Sequence, residues 1–248
     1  MLTLIEVELR PHSGADRMEG HLLHGMFFEQ IDRVDKTLAA EIHAMQRKPF
    51  SLWGYSSGGR QFVRMGIWND RLLTVILSAF CARGTIFLNT DGFDIGEVRI
   101  LDTFDARQTL TPKRSFQHFQ LTFRSPTCFK AGAHLLLFPE TRLIMNSLYR
   151  DLREAGGPER EEETLIAINE SVRPSRYDLK TQAISEGNYR LIGFLGYCVY
   201  EVSAGLRDEM RAILYTLLNS APFFGIGRKT TMGMGYAHVS FPRESAAF

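Results

Sequence analysis

Residues 206–241 read LRDEMRAILYTLLNSAPFFGIGRKTTMGMGYAHVSF. Leu206, Met210, Ile213, Leu214 and Leu217 form one apolar stripe at helical spacing, which predicts a helix over 206–219 that Pro222 stops. The closing YAHVSF alternates like a strand. Between them stand two Gly-apolar-Gly units, Gly225-Ile226-Gly227 and Gly233-Met234-Gly235, enclosing Arg228, Lys229, Thr230 and Thr231. Glycine admits φ > 0 and lets a ligand approach backbone amides, while Arg228 and Lys229 supply charge for an anionic polymer. Gly225, Gly227, Arg228, Lys229, Thr230, Thr231, Gly233 and Gly235 therefore read as a phosphate cradle. The plainer alternative is a turn that joins a last helix to a last strand.

Two familiar nucleotide-binding loops are excluded. A Walker loop needs Gly directly before the Lys, and Arg228 precedes Lys229; a Rossmann fingerprint needs a third Gly where Thr230 stands, and runs from strand to helix. Here the order is helix to strand.

Working back along the chain, residues 2–9 alternate as a strand and 20–46 read as helix. Residues 50–55 and 61–68 form a hairpin across Ser56-Ser57-Gly58-Gly59, 70–82 are helical, and 84–102 hold strand material. The order is β-α-β-β-α-β. The second half repeats it: 116–124 strand, 140–154 helix, 180–187 and 190–202 a hairpin across Gly187-Asn188, 206–219 helix, 236–241 strand. The expected fold is α+β, two tandem ferredoxin-like (RRM-like) domains over residues 1–108 and 109–248 with a C-terminal glycine-rich loop. The join falls within 103–114, where Thr111-Pro112-Lys113-Arg114 interrupts both periodicities. In the irregular stretch 155–180, Gly156-Gly157-Pro158 reads as a linker and Arg173-Pro174-Ser175-Arg176 as a loop insertion. No solenoid repeat or low-complexity tract is present.

With 248 residues, 44% hydrophobic and 23% charged, the chain can bury an ample core. A net charge of +1 means that any nucleic-acid surface is a local patch offset by acid elsewhere, as in Glu159-Arg160-Glu161-Glu162-Glu163, a solvated loop or helix start. Cys81, Cys128 and Cys198 lack CxxC spacing, so neither a disulfide framework nor a zinc knuckle is indicated. The N-terminus has no signal-peptide pattern, and no apolar run reaches the roughly 18 residues of a membrane span. A soluble cytoplasmic protein without a membrane partner is expected. An RNA-recognition sheet would carry an ordered Gly-aromatic pattern, whereas Gln61-Phe62-Val63-Arg64-Met65-Gly66 has one aromatic, so binding is expected at the glycine loop and basic hairpins instead.

The paired glycine units near the C-terminus resemble the signature loop of CRISPR-associated repeat-processing endoribonucleases of the RAMP superfamily. Two further segments match: His43 near the end of an N-terminal helix followed by Lys48-Pro49-Phe50-Ser51-Leu52, and Phe123-Arg124-Ser125-Pro126-Thr127 in mid-chain. The resemblance runs from the first helix to the last strand. It implies metal-independent cleavage of a precursor transcript within CRISPR repeats, leaving a 5′-hydroxyl and a 2′,3′-cyclic phosphate, with no cofactor. CRISPR repeat RNA is the implied partner, and subunits of a CRISPR effector complex and a second copy of the chain are further candidates.

Such chemistry needs only proton transfers and charge stabilisation, because the 2′-hydroxyl of RNA is a nucleophile already in place. Histidine suits both transfers near neutral pH. Of the seven histidines, His43 lies off the apolar stripe of Leu38, Ile42 and Met45, beside Lys36, Ala39, Ala40 and Arg47. Alone it reads as a surface residue near a helix C-terminus; the resemblance makes it the general base. Members of the family accompany that histidine with a second His or a Tyr and Lys, and no Tyr precedes Tyr55, so His24 becomes the general acid. Packing beside Phe27 and Phe28 is the structural alternative for His24. Lys48 is assigned to charge stabilisation, or is a solvated residue before Pro49. His21, His24 and His43 together would make a three-histidine metal site, but Gly20 and Gly25 weaken the helix and no carboxylate motif accompanies them. Two other classes stand beside the nuclease. One is a non-cleaving RAMP subunit of a guide-RNA complex, the other an RNA-binding module unrelated to CRISPR.

Overall fold

The structure, a computed structural model, describes residues 1–12, 18, 20–82, 84–186 and 189–242. It is an α+β fold with two principal sheets. The chain divides into one unit of Met1–Asp105, Ser185–Arg190 and Lys229–Met234, and another of Ala106–Ile184, Leu191–Arg228 and Gly235 onward.

In the first unit, β1 (Leu2–Pro11) is buried from Leu2 to Leu9 because it pairs antiparallel with β3 (Arg60–Ile67) and β5 (Asp91–Phe104), strands on both its sides. Ile5, Val7 and Leu9 enter a core with Leu23, Phe27 and Ile31 of α1 (Gly20–Val34) and Leu72, Ile76 and Phe80 of α3 (Asp70–Cys81). With β2 (Phe50–Ser57) and β4 (Thr85–Leu88) the sheet order is β2-β3-β1-β5-β4. The β2–β3 hairpin turns through Gly58 and Gly59 at φ 57° and 74°, the left-handed pair that a two-residue turn requires. The second short hairpin, β4–β5, turns at Asn89, φ 58°, where asparagine tolerates the left-handed region.

Side chains alternate across a strand, so Glu6 lies on the opposite face from Ile5 and Val7. Its carboxylate is buried and accepts from Arg64 Nε and Arg99, both at 2.7 Å, and from the Tyr55 hydroxyl. Burial pushes the Glu6 carboxyl up, but the Tyr55 hydroxyl and the two guanidiniums outweigh it and hold it below the ordinary value. On the same side Trp53, Tyr55 and Phe62 stack in series, ring centres 4.3 and 5.3 Å apart. Scanning one strand finds only Phe62, because the other two rings come from its hairpin partner.

In the second unit, β6 (His118–Thr127), β9 (Val172–Glu186), β10 (Tyr189–Val202) and β11 (Ala237–Ser240) form a sheet of order β11-β6-β10-β9. A small hairpin, β7 (Phe129–Ala131) and β8 (His134–Leu136), follows β6. The helices are α4 (Thr141–Glu154), α5 (Glu162–Ser171) and α6 (Asp208–Phe224). Ile144, Met145 and Leu148 of α4 and Leu214, Leu217 and Leu218 of α6 are buried, as are Phe119, Leu121, Phe123, Cys198 and Tyr200 of the sheet.

Four expectations need correction. The helix over 20–46 is two helices, α1 and α2 (Lys36–Ala44), because Asp35 leaves helical geometry at φ −147° and its carboxylate caps Leu38 N at 2.9 Å. Such a cap is worth about 1 kcal/mol. The stretch 155–180 is irregular only over 155–161, where Gly156-Gly157-Pro158 links α4 to α5 as expected; the acidic run then leads into α5, where carboxylates favour a helix N-terminus, and Arg173-Pro174-Ser175-Arg176 lies inside β9. Pro174 lies on β9, the edge strand of its sheet, the position in which proline is found within sheets. Pro222 does not stop α6, which runs to Phe224 and closes with Gly225 N donating to Ala221 O at 2.9 Å. The strand material at 84–102 is the β4–β5 hairpin rather than one strand, with β5 continuing to Phe104. The hairpin turn expected at Gly187-Asn188 lies outside the described residues. Among the described residues no helix is long and apolar enough to cross a membrane.

Candidate active site

The glycine loop takes its form from left-handed residues: Gly225, Gly227, Gly233 and Gly235 have φ of 71°, 90°, 78° and 77°, and Lys229 has φ 60°. At two of them a side chain has no room. A Cβ on Gly227 would lie 2.5 Å from the Cys128 carbonyl oxygen, and one on Gly235 would overlap the Ile226 carbonyl. The end of β6 and Ser147 of α4 anchor the loop's flanks. Tyr236 N donates to Ser125 Oγ at 2.8 Å, Gly235 N to Pro126 O at 3.1 Å, Arg228 N to Cys128 O at 3.1 Å, and Gly227 N to Ser147 Oγ at 3.2 Å. The Ser125-Pro126-Thr127 segment is thus the seat of the glycine loop, a link that explains why the two motifs occur together. Ile226 N also donates to Gly235 O at 2.8 Å. The amides of Gly225, Ile226, Gly227, Arg228 and Gly235 are thereby occupied within the protein, so these glycines shape the loop. The segment that carries polar groups outward is Lys229-Thr230-Thr231, half-buried, with Thr230–Met232 in a 3-10 turn.

Lys229–Met234 belongs to the first unit, and there it meets α1. His24 Nδ1 lies 2.9 Å from the Thr231 carbonyl oxygen. A carbonyl only accepts, so Nδ1 carries the proton and the neutral ring keeps its lone pair on Nε2. The ring is half-buried. Burial lowers the pKa of His24 below the ordinary histidine value; the Thr231 carbonyl opposes that shift, and the positive charge of Lys48, His43 and Lys229 adds to it.

His43 is exposed on the last turn of α2. Of the neighbours expected beside it, Ala40 is exposed and Ala39 is buried. The two histidines flank one ring: Phe28 has its centre 4.9 Å from that of His24 and 5.4 Å from that of His43. Phe28 follows His24 by four residues on α1, the same-face spacing of a helix, and that spacing is the sequence signal by which it is found. Nothing in the sequence signals the Thr231 carbonyl, 207 positions from His24. Lys48, half-buried, donates from Nζ to the carbonyls of Met45 at 3.1 Å and His43 at 3.3 Å, closing the C-terminus of α2. An ammonium has three donors, so one remains. The structure therefore brings His24, His43, Lys48, Lys229 and Thr231 into one neighbourhood; among the described residues no three of His, Cys, Asp or Glu are arranged to hold a metal ion.

Residues 121–237 match the family model for CRISPR-associated endoribonuclease Cas6. Proteins of that description from Streptococcus thermophilus and Mycobacterium tuberculosis (strain H37Rv) are similar to this chain. The first is 30% identical over 145 residues, 57% of this chain and 56% of that protein; the second is 31% identical over 129 residues, 51% and 40%. The match thus spans about half the length of these curated relatives. Among solved structures, a Cas6 product complex superposes with a TM-score of 0.83 at 23% identity, covering 96% of this chain and 99% of that one. Thermus thermophilus Cas6 gives 0.75 at 22% identity, covering 97% and 98%. At such identity the likeness is one of fold, and it agrees with the motif-bearing match in sequence. Residues 121–237 thus carry a sequence match to the Cas6 family, and the chain as a whole has the fold of solved Cas6 structures.

Proposed function

We propose that this chain is a metal-independent endoribonuclease that cuts precursor CRISPR RNA within its repeats. The first sheet contains the run β2-β3-β1-β5, with β4 added at its edge, and the second has the order β9-β10-β6-β11; both support tandem ferredoxin-like domains, residues 1–108 bearing the histidines and 109–248 leading into the glycine loop. The observation that carries the reading is the His24 ring, held by the Thr231 carbonyl with Nε2 as its remaining basic atom, across Phe28 from His43.

His24 Nε2 takes the proton of the 2′-hydroxyl, the freed oxygen attacks the adjacent phosphorus, and the bond from phosphorus to the 5′-oxygen breaks. His43, protonated, supplies the proton that the departing oxygen needs. The products are a 2′,3′-cyclic phosphate and a 5′-hydroxyl. A base has to be neutral at the start, and a lowered pKa keeps His24 so. This exchanges the roles that the family resemblance implied for the two residues, with His24 as base and His43 as acid. Lys48 and Lys229 face the charge that builds on the phosphorane, and Arg228, Lys229, Thr230 and Thr231 hold the RNA backbone, with Gly225, Gly227, Gly233 and Gly235 setting the loop that presents them.

The test is a repeat RNA with a single 2′-deoxy nucleotide before the scissile phosphate, assayed with and without a chelator. Cutting is lost with the deoxy substrate while binding persists, and the chelator changes nothing. Cleavage of the deoxy substrate, or cleavage that stops in chelator and returns with a divalent ion, overturns the mechanism. Binding of the all-ribose repeat without any cleavage identifies the non-cleaving subunit instead.

A further inference from the structure

The second unit contains a cleft of about 610 Å³ between the segment leading into β6, helix α6 and the end of β11. That volume falls in the range of roughly 300–1,000 Å³ typical of small-ligand sites. Three aromatic rings line it at mutual angles. Phe116 and Phe241 meet edge-on with centres 4.8 Å apart, Tyr215 and Phe241 are 4.9 Å apart and tilted by 38°, and Phe116 and Tyr215 are 6.0 Å apart. Rings splayed in this way leave faces against which another planar group can lie.

Among the described residues the charge around the rings is of one sign. Among the described residues, Lys113 and Arg114 are exposed on the rim and make no ion pair, and no Asp or Glu lines the cleft. Beneath it Arg211, 4% exposed, lies 5.7 Å from the centre of the Phe116 ring. Its guanidinium donates to the carbonyls of Phe116, Ser203 and Leu206, and among the described residues its Nε has no partner and no carboxylate neutralises it. A buried cation without a counter-charge is costly, and it leaves positive potential under an aromatic floor. His118 adds a ring able to donate or accept at a base edge.

From these observations we infer a second RNA subsite, one that takes an unpaired nucleotide of the bound strand. Its base lies among Phe116, Tyr215 and Phe241, and its phosphate meets Lys113 and Arg114. A paired base keeps its faces in the duplex stack, so the occupant is single-stranded. The inference rests on the reading that this chain binds repeat RNA, and adds to it a contact made by residues outside the glycine loop and the histidines.

The experiment uses the full chain and repeat RNAs carrying 4-thiouridine at one unpaired position at a time. One position crosslinks to the peptide containing Tyr215 or Phe241. Phe241→Leu, which keeps an apolar side chain without a ring, abolishes that crosslink and weakens RNA affinity by about 5- to 150-fold, the range for loss of one base stack. Phe241→Tyr, which keeps the ring, retains both. Lys113→Ala with Arg114→Ala lowers the salt slope of binding by about one to two ions. Wild-type affinity and slope in these variants, or equal losses in Phe241→Leu and Phe241→Tyr, overturn the subsite. Wild-type cleavage is read in the same reactions. Cutting alongside unchanged affinity in the variants overturns the subsite alone, and affinity that falls in the variants without any wild-type cutting overturns the nuclease reading alone.

Discussion

Alanine at Gly235 and alanine at Gly233 present the same backbone problem in two different surroundings. Both residues sit in the left-handed region, at φ 77° and 78°, where an L side chain costs about 1–2 kcal/mol. At Gly233 that is the whole cost, since the nearest atom to an added Cβ is the Gly20 Cα at 3.5 Å, an ordinary contact. At Gly235 the Cβ overlaps the backbone of Ile226, whose own N–H donates to Gly235 O at 2.8 Å. Relief there has to move backbone against backbone and weaken that bond, adding about 2–3 kcal/mol of overpacking and lost hydrogen bonding. For a chain of 248 residues each kcal/mol shifts the melting temperature by about 2–4 °C. Gly235→Ala should therefore melt about 4–12 °C below Gly233→Ala, read by circular dichroism at matched concentration. Equal melting temperatures, or a lower one for Gly233→Ala, would refute the claim that close backbone approach dictates glycine at 235.

Replacing Arg228 and Lys229 together by Ala should weaken binding across RNA sequences and flatten its salt dependence by about one to two ions; filter binding at several salt concentrations checks this, and an unchanged slope would leave the loop as a connector only. The lowered pKa of His24 also has a pH consequence with a definite sign. As a base it works unprotonated, so cleavage should persist below pH 6.5 before its acid limb appears, and His24→Gln should remove that limb along with most of the rate. The unfolded chain takes up this proton more readily than the folded one, so stability attributable to His24 is present above about pH 6.5 and declines as pH falls below it, the reverse of a histidine stabilised by a carboxylate. Acid melts of wild type and His24→Gln measure that difference.

Local signals made some elements legible and long-range ones hid the rest. Ser56-Ser57-Gly58-Gly59 between alternating segments announces its hairpin because the turn chemistry is contained in four residues. The glycine loop is equally local: four of its left-handed residues are its glycines, and Lys229 is a fifth that the glycine pattern does not signal. Asp35 has the sequence of a helical residue and acts as a cap; its carboxylate also takes Arg71 at 2.7 Å, 36 positions away, a partner no window includes. Pro174 looks like a breaker until the sheet order makes β9 an edge. Pro222 is tolerated in the final turn of α6. At the site, histidine positions can be singled out from the chain, but which nitrogen bears the proton depends on a carbonyl brought in from 207 positions away. The Glu6, Tyr55, Arg64 and Arg99 cluster likewise exists only once four strands are side by side.

The central claim is that His24 and His43 carry the proton transfers of RNA cleavage, and the most direct measurement is the single-turnover rate of repeat cleavage by His24→Ala and by His43→Ala at saturating enzyme. Loss of a general acid or base slows a reaction by about 10²–10⁴-fold. Each variant should fall in that range, with RNA affinity close to that of the wild-type chain. Wild-type cleavage rates in both variants would contradict the account.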